Sequence, residues 1–225
     1  MSHKVHPYAH RLLVVRPWKS RWFKDKKEFV SYLHADLTIR EYLEKKLKGF
    51  FVSSIDFDRN DKTYRVIIRT SRPGMLIGEE GKGIEKLKKE IEVTLKKRKL
   101  VIAQEIKIDI VEVRDPEGDA KIVAHMIVEQ MEKRVQFKRV LKMTAERVMT
   151  MPKVKGVRIS LSGRLGGADM ARKEEIKKGG IPLQFIRADI DYATETARMA
   201  YGAVGIKVWI NKGDTLEAVK GPLKK

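Results

Sequence analysis

Residues 66–91 read Val-Ile-Ile-Arg-Thr-Ser-Arg-Pro-Gly-Met-Leu-Ile-Gly-Glu-Glu-Gly-Lys-Gly-Ile-Glu-Lys-Leu-Lys-Lys-Glu-Ile, and this stretch decides the fold of the first half of the chain. An apolar strand runs into Pro73-Gly74, and a Gly-x-x-Gly loop follows between Gly78 and Gly81. The next helix has Ile84, Leu87 and Ile91 on one face. Glycine at both loop positions allows a phosphate backbone to come close, because no Cβ intrudes.

The segments around this loop complete a recognisable order of elements. Apolar spacing predicts a helix over 26–48, strands over 51–57 and 63–70, a short helix before Gly78, a basic helix over 82–98 and a strand around 106–110. The order helix–strand–strand–helix–helix–strand is typical of a type II KH domain, whose Gly-x-x-Gly loop clamps single-stranded nucleic acid. The two residues inside this loop, Glu79 and Glu80, are acidic. Carboxylates repel phosphates, so the loop that identifies the fold also argues against its usual activity.

The composition indicates a polyanionic partner. The chain has 225 residues, with 49 Lys and Arg against 30 Asp and Glu, a net charge of +19. Each phosphate that such a surface neutralises releases counterions, which favours nucleic acid over a membrane surface as the partner. The sequence has no cysteine, which excludes disulfides and thiolate catalysis. No run of residues is long and apolar enough for a membrane span, and the N-terminus lacks a secretory signal, so a cytoplasmic location is expected.

Breaks in the pattern divide the chain into four parts. The fold class expected is α+β: an extended arm over 1–16, the type II KH domain over 17–113, a second α+β domain over 114–211, and a basic flexible tail over 212–225. Turn residues at Asp115-Pro116-Glu117-Gly118 mark the domain boundary. The second domain is expected to pack two helices on an antiparallel sheet. Residues 171–178 suit either a helix or a hairpin strand.

A basic cluster in the second domain is the strongest candidate for a nucleic-acid contact. It consists of Lys133, Arg134, Lys138, Arg139 and Lys142. Arg134, Lys138 and Lys142 recur every four residues, which predicts that they stack on one helix face, away from the apolar stripe. Positive charge on a rigid helix is suited to holding a phosphate backbone without reading its sequence. A solvated basic face is the alternative interpretation.

Several other features admit two interpretations. Arg164, in a glycine-rich turn after a strand, is either a phosphate contact or part of a plain hairpin loop. Trp18, Trp22 and Phe23 alternate with basic residues and either cover a neighbouring helix or stack on RNA.

The histidines at 3, 6 and 10 do not have the spacing of a metal site. No catalytic constellation is present, and no metal, cofactor or small-molecule substrate is predicted.

Nearly the whole chain resembles the family of the third protein of the bacterial small ribosomal subunit. The motifs that carry the resemblance are, in order, Lys4-Val5-His6-Pro7 with Arg11-Leu12 and Pro17-Trp18; Arg72-Pro73-Gly74 with Ile77-Gly78; Ser162-Gly163-Arg164-Leu165-Gly166-Gly167-Ala168; Arg187-Ala188-Asp189-Ile190-Asp191-Tyr192; and Tyr201-Gly202 through Gly205-Ile206-Lys207-Val208-Trp209-Ile210. The resemblance implies a place in the subunit head at the mRNA entry channel, bound to ribosomal RNA. It also implies the tenth, fourteenth and second small-subunit proteins as neighbours, with the fourth and fifth beside it at the entry.

The family's basic trio at the entry falls in a Phe-Arg-Arg-x-x-Lys segment. The matching stretch makes Lys138, Arg139 and Lys142 the carried-over candidates, and Lys138 replaces an arginine, which loses the bidentate fork. Where this chain has Glu79 and Glu80, the family usually carries basic residues. The full set of expected RNA-binding residues is Arg72, Gly78, Gly81, Lys82, Lys133, Arg134, Lys138, Arg139, Lys142 and Arg164.

The expected function is therefore that of a structural constituent of the small ribosomal subunit, not an enzyme. It would bind ribosomal RNA and hold or unwind structured mRNA at the entry. Two alternatives are a nucleic-acid lyase that uses a lysine amine as Schiff-base nucleophile and a free KH-type regulator of mRNAs. The acidic pair Glu79 and Glu80 argues against the regulator.

Overall fold

A computed structural model describes residues 5–60, 62–78, 81–98 and 105–214. The chain divides into two compact units: a first unit, Trp18–Arg114, and a second unit formed by Met1–Pro17 together with Asp115–Lys225. In chain order the elements are α1 (Pro7–His10), β1 (Ser20–Arg21), α2 (Lys26–Lys46), β2 (Val52–Arg59), β3 (Thr63–Thr70), α3 (Pro73–Ile77), α4 (Lys82–Lys97), β4 (Glu105–Glu112), α5 (Ala120–Glu132), α6 (Phe137–Thr150), β5 (Gly156–Gly163), β6 (Arg172–Gly179), β7 (Ala188–Met199) and β8 (Gly202–Asp214). None of the described helices is long and apolar enough to cross a membrane.

The first unit has the element order that the sequence predicts. Its sheet order is β1-β2-β3-β4, with β2 and β3 antiparallel and β3 and β4 parallel. Residues Tyr64, Val66 and Ile68 alternate along β3 and turn inward, where they meet α2 and α4 in one hydrophobic core. The helix–strand–strand–helix–helix–strand order and the α+β class are thus confirmed. The two-residue strand β1, parallel to β2, was not predicted, because two residues carry no period.

A buried polar cluster lies between α2 and the sheet of the first unit. The Asp36 carboxylate accepts hydrogen bonds from Tyr64 Oη at 2.9 Å and Trp22 Nε1 at 2.7 Å. Arg59 forms an ion pair with Asp36 at 3.3 Å, and its guanidinium carbon lies 4.3 Å and 4.2 Å from the ring centres of Tyr32 and Tyr64. Burial raises the pKa of Asp36, while the Arg59 charge and the two hydrogen bonds oppose the rise. The cluster therefore satisfies a carboxylate in a place that water does not reach.

The aromatic segment before α2 only partly matches its predicted role. Trp22 packs on α2, with its ring centre 5.1 Å from that of Phe29 and 6.0 Å from that of Tyr32. Trp18 and Phe23 remain exposed. The lid interpretation is confirmed for Trp22 alone, whose indole also donates a hydrogen bond to Asp36.

The second unit packs two helices on one face of an antiparallel sheet with the order β6-β5-β8-β7. Helix α5 packs on β7 and β8, and α6 packs on β5 and β6. The inward residues of these elements form a second hydrophobic core. Residues 172–179 form strand β6, which decides between the two structures that the sequence left open. The β6 residues that face the helices include Glu174, Ile176 and Lys178. Two of these three are charged, so the charges obscured the period of two.

The segment before Pro17 differs from the extended arm that the sequence predicts. Residues Pro7–His10 form one helical turn, and Arg11 is fully buried. The Arg11 guanidinium donates hydrogen bonds to five carbonyl oxygens: those of Pro7, Leu183, Phe185 and Ala188 at 2.6 to 3.0 Å, and that of Pro182 at 3.5 Å. A cation inside a protein needs partners for its donors, and these carbonyls fix the segment to the second unit. Strand β8 also continues through Asp214, past the predicted start of the tail at 212.

Candidate nucleic-acid interface

The backbone conformation of the KH loop requires glycine at Gly78 and favours it at Gly81. Gly78 has φ 67° and ψ −175°, a combination that essentially only glycine adopts, and Gly81 has φ 79°. A Cβ on Gly83 would lie 2.4 Å from the carbonyl oxygen of Leu76. Because Gly83 has no side chain, α3 and α4 can pack closely at this position. The spacing of residues in the sequence does not reveal this role. Glu79 and Glu80 lie outside the described residues.

Two basic residues flank this loop. Arg72 precedes α3 and is exposed, with its guanidinium carbon 4.4 Å from the ring centre of Phe51. Lys82 is the first residue of α4 and is also exposed. Arg72 thus precedes the loop and its short helix, and Lys82 directly follows the loop. Contact of either side chain with RNA remains a prediction.

Helix α4 carries a basic face that the sequence analysis did not single out as a site. Lys82, Lys86, Lys89 and Lys97 line a recess of about 530 Å³ beside Tyr42 of α2. Glu90 sits within the same recess, where it pairs with Lys46 and accepts a hydrogen bond from Tyr42 Oη at 2.8 Å. The sequence shows the spacing of these lysines, but because acidic residues lie between them it does not predict which face of α4 is basic and exposed.

The basic cluster of the second unit is divided by a helix end. Lys133 caps α5, and its Nζ lies 2.6 Å from Glu129 Oε1. Arg134 follows with φ 60°, and two backbone hydrogen bonds, Arg134 N–H to Met131 O and Val135 N–H to Gln130 O, close a Schellman motif. The prediction that Arg134 shares a helix face with Lys138 and Lys142 is wrong, because α5 ends before it and α6 begins at Phe137.

The remaining three cations form what we call the α6 strip: Lys138, Arg139 and Lys142. All three are exposed, while Phe137, Val140, Leu141 and Thr144 on the other face are buried. Among the residues that the structure describes, none of the three forms an ion pair. Lys142 lies in the second turn of α6, and Lys138 and Arg139 lie in the first turn, where the unpaired amides of the helix already carry partial positive charge. Cations are intrinsically unfavourable there, so the arrangement concentrates positive potential on one exposed face.

Arg164 braces the turn in which it lies. Its guanidinium donates to the carbonyl oxygens of Ala168 at 2.9 Å and Tyr201 at 3.3 Å and to Asp169 Oδ1 at 3.3 Å. These contacts favour the plain-loop interpretation, since much of the donor capacity is used inside the protein. The turn also passes close to β8, because a Cβ on Gly163 would lie 2.8 Å from the carbonyl oxygen of Ala203.

The N-terminal histidines do not form a metal centre in the described part of the chain. No group of three or more potential ligands occurs there. The ring of His6 instead meets that of Tyr192 edge-on, with 4.7 Å between the ring centres. His3 lies outside the described residues.

Two protein-family models match the chain over the units just described. A KH domain model matches residues 38–118, and a model described as ribosomal protein S3, C-terminal domain, matches residues 127–210. The matched regions contain the Gly-x-x-Gly loop and the α6 strip respectively. Fold and matches together define the class, a ribosomal protein with a KH domain.

Curated relatives extend this similarity to almost the full length. The chain is 47% identical to small ribosomal subunit protein uS3 of Parvibaculum lavamentivorans, covering 96% of this chain and 89% of the relative. It is 44% identical to the uS3 of Spiroplasma citri, covering 96% and 84%, and 43% identical to that of Pseudomonas aeruginosa, covering 100% and 95%. The chain therefore belongs to the family of small ribosomal subunit protein uS3. This is a family of structural ribosomal proteins, not of enzymes.

Proposed function

We propose that this protein is built into the head of the small ribosomal subunit in the cytoplasm, binds ribosomal RNA there, and holds mRNA at the entry channel. The observation that carries the mRNA part is the α6 strip, three exposed and unpaired cations at the N-terminal end of one helix. A surplus of 19 positive charges supports a wider contact with RNA. The family assignment supports neither the lyase alternative nor the free regulator.

The strip would act by charge and position. A single strand of RNA carries one phosphate per nucleotide, and three cations on a rigid helix offer neighbouring binding points for such a backbone. The same strip gains less from a paired stem, whose strands cannot both follow it. Holding separated strands biases the opening of a stem, while the energy for opening comes from the translocating ribosome.

Within the subunit, the proposed neighbours are the tenth, fourteenth and second small-subunit proteins, with the fourth and fifth at the mRNA entry. The KH unit would contribute through residues around its loop, Arg72, Gly78, Gly81 and Lys82, and through the lysine face of α4. Lys133, Arg134 and Arg164 remain proposed RNA contacts of the second unit. Lys133 and Arg164 each have an internal partner, so we expect each to contribute less than a member of the α6 strip.

Translation by reconstituted ribosomes tests the role of the strip. Small subunits carrying Lys138→Glu, Arg139→Glu and Lys142→Glu together should translate a message with a stable hairpin several-fold more slowly, with little change on an unstructured message. A control with the same change in charge, Lys26→Glu, Lys27→Glu and Lys45→Glu on exposed positions of α2, should slow neither message. Equal slowing of both messages, or of neither, would refute the proposal for mRNA while leaving ribosomal RNA binding untouched.

A further inference from the structure

The sheet of the second unit has a face that α5 and α6 do not cover. Residues paired directly across an antiparallel sheet share a face. The helices bury Val157, Ile159 and Leu161 of β5, so the intervening residues of β5 and their partners point the other way. Across the four strands, one row of this face is Lys177, Arg158, Trp209 and Tyr192, and the next is Glu175, Ser160, Lys207 and Thr194. The face thus presents cations and aromatic rings instead of aliphatic side chains.

This face is concave, because two segments rise beside it. Residues around His6 and Pro7 form one wall, and Leu183 and Gln184 form another; together with the sheet they enclose a cavity of about 900 Å³. Arg11 holds both walls in place, because its guanidinium donates hydrogen bonds to the carbonyl oxygens of Pro7 in one wall and Leu183 in the other. A cavity of this size is within the range of small-molecule and cofactor sites, and its walls are built before any ligand arrives.

The lining of the cavity has a definite electrostatic character. Arg158, Lys173 and Lys207 are among the lining residues, and none of the described residues that line the cavity is a carboxylate. Glu175, just outside, neutralises part of this charge by ion pairs with Arg158 at 2.8 Å and Lys173 at 2.9 Å. Lys207 makes no ion pair within the described part of the chain. Lys207 is therefore an uncompensated cation inside the cavity, and the two other lining cations, Arg158 and Lys173, can exchange Glu175 for another anion.

Aromatic rings lie beside these cations. The ring centres of Tyr192 and Trp209 are 5.2 Å apart, and the Arg158 guanidinium carbon lies 5.0 Å from the ring centre of Trp209. Both rings line the cavity and are partly exposed. Nucleobases stack on such rings and on arginine planes without regard to sequence, while lysines beside the rings bind the backbone.

We propose that this cavity is a second RNA site, which takes an unpaired nucleotide of a ribosomal RNA strand with its base against Trp209 and Tyr192 and its phosphate at Lys207. The inference rests on the proposed binding of ribosomal RNA and adds a location and a mode to it. An acidic protein segment is the competing occupant, since it would also neutralise Lys207. The rings favour RNA, because an acidic peptide has no use for two adjacent stacking surfaces.

Fluorine NMR and fluorescence anisotropy on the full-length protein test the site directly. The chain has three tryptophans, so 5-fluorotryptophan labelling gives three resonances, and Trp209→Phe identifies one of them. Adding a hexauridylate should shift the Trp209 resonance. Lys207→Glu and Trp209→Leu should each weaken binding of labelled hexauridylate on the order of tenfold, with circular dichroism confirming the fold, while Lys45→Glu should have little effect.

The outcomes separate this site from the α6 strip. The strip variant, with Lys138, Arg139 and Lys142 changed to glutamate, should still show the Trp209 shift, even if its total RNA affinity falls. An unmoved Trp209 resonance with intact RNA binding would overturn the inference and leave the proposed function standing. A hexaglutamate peptide that shifts the resonance as strongly as the oligonucleotide would assign the cavity to a protein partner and would also overturn it.

Discussion

Arg16 and Asp191 are joined by an ion pair of 2.9 Å that connects the start of the chain to the beginning of α5. The second oxygen of the Asp191 carboxylate accepts the backbone N–H of Ala120, the first residue of that helix, at 3.0 Å. Asp191 thus neutralises the charge of Arg16 and also accepts a hydrogen bond from an otherwise unpaired amide at the start of α5. The same guanidinium also binds Asp189 at 2.8 Å.

Replacement of Asp191 by asparagine should destabilise the second unit strongly. It removes the largely buried charge that pairs with Arg16. Because Arg16 keeps Asp189 as a partner, the cost should lie at the lower end of the roughly 3–5 kcal/mol typical of breaking a buried pair. Urea unfolding followed by a probe in the second unit measures the loss. Asp189→Asn provides the matched control, since that side chain is more exposed and forms no hydrogen bond with α5 among the described residues, and its cost should be clearly smaller. Equal costs for the two variants would contradict the larger role given to the Asp191 charge.

The same carboxylate should make the stability depend on pH. Although burial opposes ionisation, the Arg16 and Lys212 charges and the Ala120 N–H hold the pKa of Asp191 below its ordinary value. A pKa that is lower in the folded state stabilises the fold at pH values above the unfolded value near 4. That contribution is lost as the pH falls through the folded pKa. The free energy of unfolding should decline below about pH 4, and less steeply in Asp191→Asn than in the parent.

Arg59 should be needed to keep the carboxylate of Asp36 inside the first unit. In Arg59→Met the neighbouring rings remain packed, but Asp36 loses its cation and its pKa should rise further. We expect a loss of about 3–5 kcal/mol in the first unit. The double variant with Asp36→Asn should recover part of this loss, because no unpaired charge then remains. Unfolding followed by tryptophan fluorescence measures both, and no recovery in the double variant would count against the ion pair.

Gly83 should tolerate no side chain, whereas nearby Gly74 should tolerate one. Alanine at Gly83 would place its Cβ 2.4 Å from Leu76 O and 2.8 Å from Ile77 O, and both are backbone atoms that cannot move alone. At Gly74 nothing lies within 4 Å and φ is ordinary, so alanine should be neutral or stabilise α3 slightly. Thermal unfolding of the two variants compares them. A similar melting temperature for both would mean that α3 can move away from α4.

Arg164→Ala should loosen its turn more than it weakens RNA binding. Hydrogen exchange of the backbone amides at 165–169 should become faster, because three anchoring contacts are lost. Affinity for single-stranded RNA should change less than in the α6 strip variant. Strong loss of RNA affinity without faster exchange would identify Arg164 as a phosphate contact after all.

The elements with a clear apolar period were predictable from the sequence, and those that depend on tertiary contacts were not. Strand β3 and helix α4 begin where the pattern predicts, at Thr63 and Lys82. Strand β6 was ambiguous because its charges form ion pairs on an exposed face, which leaves only weak alternation. That Arg134 lies beyond the end of α5 was not predicted, because a Schellman motif normally has glycine at that position, and here an arginine takes the left-handed conformation.

The candidate site shows the same division. The α6 strip was found because its residues are close in the sequence. The cavity beside Trp209 was missed, because its lining comes from four strands and a segment near the N-terminus that lie far apart in the chain. Single-sequence spacing gives no sign that His6 and Tyr192 are neighbours. The role of Arg11 was hidden for the same reason, since its partners are carbonyl oxygens that every residue type possesses.

The contacts of Arg11 also set an order on folding during synthesis. Its partner carbonyl at Ala188 lies 177 residues further along the chain, so the N-terminal segment must wait until nearly the whole protein has left the ribosome. At roughly 5–20 residues per second, this wait is about 10–35 s. The first unit, contained in Trp18–Arg114, can complete its core in that interval. Arg11 is thus made before the first unit but reaches its final position after it.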